Sequence, residues 1–123
     1  MNKKEIAISF LKLAAAGKVE EAYEKYVHPQ FKHHNAFFKG DRRSLLVAMQ
    51  ESAHTMPNKS IEVVRALEDK DLVATHSKLL RAAADTPEIA VVHIFRFKDN
   101  LIIEEWEAGQ EVPKDSPNEY GAF

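Results

Sequence analysis

The sequence predicts an α+β fold in which N-terminal helices pack on one face of a curved antiparallel sheet. Apolar residues recur at helical spacing through the first third of the chain, and alternating apolar and polar residues dominate the rest. The length of 123 residues is typical of one domain and allows a buried core without disulfide or metal support. We therefore interpret residues 1–123 as a single domain, with residues 110–123 as an ordered C-terminal tail.

Three helices are predicted in the first half of the chain. The first covers about residues 2–16 and ends at Gly17, because glycine commonly terminates helices. A second amphipathic stretch follows and is stopped by Pro29. The third helix begins after Asp41, whose side chain can accept hydrogen bonds from the first helical turn, and it ends before Pro57.

Short runs of apolar residues, most of them in alternation with polar ones, predict five strands. The last two strands are joined at Asp99–Asn100, a pair typical of hairpin turns. The connection before them is predicted to run through residues 85–87. The predicted strands are Phe31–Asn35, Ile61–Leu67, Leu72–Leu80, Glu88–Lys98 and Leu101–Gly109.

Large apolar side chains occur on both faces of the last two predicted strands, so neither face is plainly a solvent face. A sheet of this kind usually has both faces covered. The helices can cover one face, and a second copy of the chain is the simplest cover for the other. We therefore predict a homodimer that associates through the sheet.

Composition and charge exclude several classes of function. The net charge is −2, with 17 basic and 19 acidic residues spread along the chain, so nucleic acid is not an expected partner. No apolar run approaches the ~20 residues of a membrane span and no secretory signal is recognisable, which predicts a cytoplasmic protein without a membrane partner. The chain has four glycines but no phosphate-binding loop, and it lacks cysteine. We predict no cofactor.

Three polar residues interrupt the last two strands, which otherwise read as buried. His93 lies in one apolar strand, and Glu105 and Glu107 flank Trp106 in the next. Two residues apart on a strand, the carboxylates point the same way at ~7 Å, and their repulsion raises one pKa toward neutrality. An imidazole beside them would add a second proton-transfer group. The competing interpretation is a hydrogen-bonded core histidine with glutamates that face solvent.

The hairpin decides whether these three side chains meet. A two-residue turn at Asp99–Asn100 would place His93 opposite Trp106, away from the carboxylates. A three-residue loop, with Asn100 in the left-handed conformation beside a bulge, would place His93 opposite Glu105, with Glu107 on the diagonal. We favour this second register because asparagine adopts the left-handed conformation readily.

Other polar and aromatic residues are candidates for binding a ligand in the same pocket. Two adjacent histidines end the first strand, and only one can reach the pocket because neighbours on a strand point to opposite faces. Histidines do not recur at the helical spacing typical of metal-binding motifs, so we predict no metal site. The candidate ligand-binding residues are His34, Asn35, His76, Phe95 and Phe97.

The order of elements and four stretches of sequence resemble the SnoaL-like polyketide cyclase branch of the nuclear-transport-factor-2-like superfamily. Tyr26–Asn35 resembles the Tyr-x-x-His-Asn-Pro stretch of that branch. His93–Phe97 is similar to its Asp-Ile-Phe-Arg-Phe motif, and Ile102–Glu107, after the turn, to its Ile-Val-Glu-His-Trp-Asp motif. Asn118–Phe123 resembles its Asp-Asn-Gly-Met-Phe ending.

The resemblance implies a cone-shaped α+β barrel, usually dimeric through the sheet, with a pocket lined by the inner face. It also implies cofactor-free acid–base chemistry on small apolar substrates, as in relatives that are cyclases, isomerases, dehydratases and epoxide hydrolases. The family's last-strand Asp, an acid–base residue, falls on Glu107. Its penultimate-strand Asp falls on His93, and the His of its His-Trp-Asp motif falls on Glu105. The family's His-Asn pair falls on His34 and Asn35.

All three central positions depart from the family's residue types, so the cyclase reaction itself is not implied for this chain. An imidazole and carboxylates are nevertheless kept in the pocket. The sequence predicts a small-molecule-binding protein that acts as a cofactor-free enzyme of the cyclase, isomerase, dehydratase or hydrolase type on a small apolar carbonyl or epoxide compound. The alternative is a non-catalytic ligand-binding or dimerisation module of the same fold.

Overall fold

Helices precede most of the strands along the chain, which confirms the α+β class that the sequence predicts. The computed structural model describes residues 1–82 and 86–123, so residue 85 of the predicted connection lies outside the described residues. The described elements are α1 (Lys3–Ala15), α2 (Val19–Tyr26), β1 (Val27–His33), α3 (Arg42–Thr55), β2 (Lys59–Asp69), β3 (Leu72–Arg81), β4 (Ile89–Lys98) and β5 (Leu101–Glu111).

Local capping interactions explain where α1 and α3 begin. The Asn2 side chain accepts a hydrogen bond from the Glu5 backbone N–H at 2.8 Å, and Glu5 accepts one in return from the Asn2 N–H at 3.0 Å. The Asp41 side chain accepts from the Ser44 N–H at 3.0 Å, as the sequence predicts for an N-cap. Within residues 1–82 and 86–123, no helix is long and apolar enough to cross a membrane.

The sheet has the strand order β1-β5-β4-β3-β2. The last four strands along the chain pair antiparallel, whereas β1 pairs parallel to β5, so the sheet is mixed and not wholly antiparallel. The sheet also stays open and does not close into the barrel that the resemblance implies. Its two edges are β1 and β2, which lie at opposite sides because α3 carries the chain from one edge to the other.

The main core lies between the first two helices and one face of the sheet, which we call the inner face. Phe10 on α1 contacts Tyr23 on α2 with ring centroids 5.7 Å apart and Phe95 on β4 at 6.0 Å. Full burial of one such side chain stabilises the fold by roughly 1.5–3 kcal/mol. These contacts fix the position of α1 over the sheet, so α1 forms one wall of any cavity beside them.

The β4–β5 hairpin contains both a tight turn and a bulge. Asp99 and Asn100 have φ angles of 51° and 63°, the left-handed values of a two-residue hairpin turn. The pairing then shifts between Arg96 and Phe97, which leaves Ile103 as an extra residue on β5.

The favoured sequence-based register is therefore wrong. Instead of facing Glu105, His93 faces Glu107, and Phe95 faces Glu105. The bulge lies at Ile103, further along β5 than the position beside Asn100 in the favoured arrangement, because Asp99 and Asn100 both adopt the left-handed conformation and form a two-residue turn. The register differs from the favoured one by two residues, an even number, so both carboxylates stay on the same face as His93.

Candidate active site

One histidine and two glutamates meet on the inner face, where β4 and β5 run side by side. His93 Nε2 lies 3.4 Å from Glu107 Oε2 and 3.6 Å from Glu105 Oε1. The residue directly opposite His93 in the ladder is Glu107, and Glu105 is on the diagonal. The three side chains that the sequence singles out as catalytic candidates thus form one cluster.

The three members of this cluster differ in their access to solvent. The Glu105 and His93 residues are only 5% and 8% exposed, whereas the Glu107 side chain is 27% exposed. Glu107 is therefore the carboxylate that a molecule entering from outside can reach first. The two buried members lie behind it.

Burial raises the pKa of Glu105 to about 7, since a carboxylate loses its hydration in this position. The charge of His93 opposes this rise, and the negative charge of Glu107 adds to it. Glu105 is thus poised to gain or lose a proton near neutral pH.

His93 and Glu107 shift in the directions that favour a charged pair. Burial disfavours the imidazolium, but the contact with Glu107 and the charges of both glutamates raise the pKa of His93 above its ordinary value. Burial likewise disfavours the ionised Glu107, but the contact with His93 and the hydrogen bond from Asn35 lower the pKa of Glu107. Glu107 is therefore ionised at neutral pH, and its charge favours the imidazolium form of His93 beside it.

Asn35 links this cluster to the loop that follows β1. Its side-chain Nδ2 donates to Glu107 Oε1 at 2.6 Å, and its Oδ1 accepts from the Phe37 backbone N–H at 3.0 Å. Its backbone N–H donates to Nδ1 of buried His33 at 3.0 Å, which leaves His33 Nε2 to donate to the Lys39 carbonyl at 2.5 Å. The loop therefore holds the Asn35 amide in place as a donor to Glu107.

The neighbouring side chains of His34 and Asn35 have different partners, and of the two only Asn35 bonds to the cluster. His34 stacks on Trp106 with ring centroids 5.0 Å apart, and its Nε2 lies 2.7 Å from Glu104 Oε2. Glu104 and Trp106 alternate with the two carboxylates on β5 and point to the other side of the sheet, which we call the outer face. His34 borders the cavity described below, but its ring is engaged in this outer-face network.

Three further candidates lie away from the cluster. His76 is opposite Val92 on the outer face, where its ring stacks on Phe123 at 5.7 Å. Phe95 and Phe97 share the inner face with His93 but are buried in the core, because α1 covers the sheet at this position. These three residues do not line the cavity next to Glu107, which corrects the prediction that they contact a ligand there.

A cavity of about 630 Å³ lies between α1, α3 and the inner face. His93 and Glu107 border it, together with Asn35. These residues also border an adjoining hollow of about 250 Å³, which Glu105 reaches as well. The apolar wall of the large cavity is formed by Leu11, Ala14, Ala15, Met49, Ile61, Leu79, Ile89 and Val91. An apolar cavity of this size with a few convergent polar groups is typical of a small-molecule site.

Sequence reasoning missed Lys59 as a lining residue of this cavity. The predicted strand began at Ile61, whereas β2 begins two residues earlier, at Lys59. The Lys59 side chain therefore belongs to the sheet and borders the cavity with Ile61. A single lysine beside a predicted turn gives no signal of this kind, because lysine is common at such positions.

The donor atoms of His93, Glu105 and Glu107 lie within 4.8 Å of one another, a spacing that also suits a divalent ion. The prediction of no metal site rested on local patterns and did not consider ligands from two strands. Metal-ligating histidines usually donate their other ring N–H to an acceptor. Here Nδ1 of His93 is buried without a hydrogen-bond partner among residues 1–82 and 86–123, which favours proton transfer over metal binding.

Solved structures with a similar fold align with most of this chain, although their sequences are only distantly similar to it. IdmH from Streptomyces antibioticus, a candidate polyketide cyclase, is 19% identical with a TM-score of 0.72, over 89% of this chain and 93% of IdmH. A candidate polyketide cyclase from Bacillus cereus is 22% identical with a TM-score of 0.74, over 85% of this chain and 72% of its own. An NTF-2 like protein of unknown function from Burkholderia xenovorans is 17% identical with a TM-score of 0.72, over 94% of this chain and 88% of its own.

These likenesses establish a shared fold and leave the reaction open, since their identities are low. No curated protein sequence matches this chain significantly. The sequence profile described as SnoaL-like domain matches residues 8–105, from α1 to the buried carboxylate on β5. With most of its length matched by that profile and its fold shared with NTF2-like proteins, the chain belongs to the SnoaL-like domain family.

Proposed function

We propose that this protein is a cofactor-free acid–base enzyme that acts on a small apolar carbonyl or epoxide compound. The observation that carries the proposal is the position of Glu107. Its ionised carboxylate is held by Asn35 and His93 at the border of an apolar cavity of about 630 Å³. A carboxylate held in this way is preorganised to accept a proton from a bound molecule.

Each member of the cluster has a role that follows from its protonation state. Glu107 accepts a proton from a C–H bond beside a carbonyl, or from a water that attacks an epoxide. The His93 imidazolium donates a proton to the oxygen on which negative charge develops. Glu105, with its pKa raised to about 7 by burial, passes a proton to His93. The starting state is restored when Glu107 gives its proton to the product or to solvent and Glu105 regains one from solvent. Each well-placed group of this kind contributes roughly 10²–10⁴-fold to the rate.

Exchange of α-protons with solvent tests the base directly. We expect the protein to accelerate the exchange of the α-protons of 2-tetralone in D₂O well above the buffer rate near neutral pH. The measurement is loss of the α-proton signals by ¹H NMR, alongside a thermal-shift titration of 2-tetralone and styrene oxide, since a cavity ligand stabilises the fold. Binding of these compounds without proton exchange or epoxide opening would favour the alternative of a non-catalytic binding module.

A metal requirement is tested in the same assay. We expect the exchange rate to be unchanged by EDTA, because the proposed proton transfers need only side chains. Loss of exchange with EDTA and its recovery with Zn²⁺ would show instead that the cluster of His93, Glu105 and Glu107 binds a catalytic ion.

We also propose that two copies of the chain associate through the outer face. Val92 and Ile94 lie on β4, in the middle of the sheet order, and are 41% and 38% exposed there. Light scattering after gel filtration is expected to give twice the chain mass for the wild type and the single mass for Ile94→Glu. The matched control is Phe37→Glu, which changes a residue 88% exposed beside the cavity and should stay dimeric. A monomeric wild type would contradict the proposal.

A further inference from the structure

Lys59 is a cation in the wall of the cavity that forms no ion pair with the described residues. Its Nζ donates to Ser52 Oγ on α3 at 2.5 Å, and the side chain is half-buried where β2 begins. Within the described ranges 1–82 and 86–123, no carboxylate forms an ion pair with it. Cations that are partly withdrawn from water are usually paired, so a lone ammonium in a cavity wall is a candidate for binding an anion.

A second cation lies next to Lys59. Arg81 on β3 is directly opposite Lys59 in the sheet, and its guanidinium lies 3.6 Å from the exposed carboxylate of Glu111. Among the described residues, Lys59 and Glu111 both line this end of the cavity, and Arg81 adds a second positive charge there. Burial lowers the pKa of Lys59, and the charge of Arg81 lowers it further. A bound anion would relieve the repulsion and replace part of the lost hydration.

The other end of the cavity lacks the excess of positive charge found at Lys59 and Arg81. Ile89 lies near the Lys59 end, since it pairs with Leu79 two residues before Arg81, and His93 is four residues further along β4. Four residues span about 13 Å of strand. Beside His93, the imidazolium offsets the charge of Glu107 and ionised Glu105 adds negative charge. An anion is therefore bound more favourably at Lys59, and the wall between the two ends is apolar. The cavity is therefore polarised along its length.

We propose that Lys59 is the subsite for the carboxylate of an amphipathic organic acid. The carboxylate would lie on Lys59, the apolar body along Ile61, Leu79 and Val91, and the reacting carbon beside Glu107. The statement that the ligand reacts at the end beside Glu107 rests on the proposed function. Binding of the carboxylate at Lys59 does not depend on that function and can be measured at equilibrium, without turnover.

A pair of probes that differ only in charge tests the subsite. The probes are naphthalene-2-acetate and its methyl ester, with affinities measured by isothermal titration calorimetry at low ionic strength. We expect the wild type to bind the acid about tenfold more tightly than the ester, because a charge-assisted hydrogen bond to a partly buried ammonium contributes on this scale. Lys59→Met should abolish the preference and leave the ester affinity unchanged. Lys59→Arg should keep the preference.

A matched control separates anion binding from a purely structural role. Ser52→Ala removes the hydrogen bond that ties Lys59 to α3 but keeps the ammonium, so it should retain the preference for the acid. If Lys59→Met and Ser52→Ala weaken both probes equally, Lys59 only joins α3 to β2 and the proposal is overturned. Equal binding of acid and ester by the wild type, or binding of neither, would also overturn it.

Failure of the subsite and failure of the proposed function give different results. Glu107→Gln should keep or increase the preference for the acid, because it removes a negative charge from the cavity. A lost preference for the acid with intact α-proton exchange would refute the subsite alone. Unaffected exchange in Glu107→Gln with an intact preference would refute the catalytic role and leave the subsite standing.

Discussion

Replacing Glu107 with glutamine is expected to slow α-proton exchange by about 10²–10⁴-fold, the usual contribution of a well-placed general base. Glutamine keeps the shape of glutamate, and its side-chain oxygen can still accept the hydrogen bond from Asn35 Nδ2. It cannot accept a proton, so the loss belongs to the reaction step. The measurements are the exchange rate by ¹H NMR, the 2-tetralone affinity and the circular dichroism spectrum.

Glu104→Gln is the matched control for this experiment. Glu104 lies on the same strand, but its carboxylate is on the outer face with His34 and Arg96. The same chemical change should therefore leave the exchange rate near that of the wild type. Equal losses in both variants would point to a general effect of charge on β5, and no loss in Glu107→Gln would remove Glu107 from the proposed role.

Glu105→Gln is expected to stabilise the protein at about pH 8 and to change its stability little at about pH 4. The folded-state pKa of about 7 lies above the ordinary value of 4.5, so the folded state holds a proton that the unfolded state releases. Stability is therefore lost as the pH rises from about 4.5 to about 7. Linkage converts a shift of this size to about 3 kcal/mol, which a neutral glutamine would recover.

Urea unfolding at the two pH values measures this difference. Glu104 again supplies the control, with the opposite sign. Burial disfavours its charge, but His34, Lys32 and Arg96 lower the pKa of Glu104, so its ionised form contributes stability above its unfolded pKa. Glu104→Gln should therefore lose stability at about pH 8. A Glu105→Gln variant that is less stable than the wild type at that pH would contradict a buried carboxylate with a raised pKa.

The sequence identified most elements of the fold because their signals are local. Asp41 caps α3 through its own side chain, and left-handed Asp99 and Asn100 form a tight hairpin turn. The parallel pairing of β1 with β5 had no such signal, since it joins segments about 75 residues apart in the register Val27 to Ile102. The direction of pairing between distant strands depends on the path of the whole chain.

The proton-transfer cluster was also visible in the sequence, because polar residues inside apolar strands are unusual. The predicted and observed registers differ by two residues, and residues two apart on a strand share a face. His93 was therefore placed on the correct face with the two carboxylates, although its partner in the ladder was predicted incorrectly. Phe95 shares this face and was predicted to bind a ligand in the pocket. The alternation of side chains along a strand shows the face of each residue but not which part of that face a helix covers. Here Phe10 of α1 packs directly on Phe95.

The extra residue at Ile103 determines which side chains of β5 face the hollow. If Ile103 were instead paired in a regular ladder after the same turn, without the bulge, every later residue of the strand would move to the opposite face. Trp106 and Ala108 would then line the interior, while the acidic pair would project into solvent. Loss of this bulge would thus exchange an interior that can transfer protons for an apolar one, so proteins that share this scaffold can diverge in chemistry without replacing a single acidic residue.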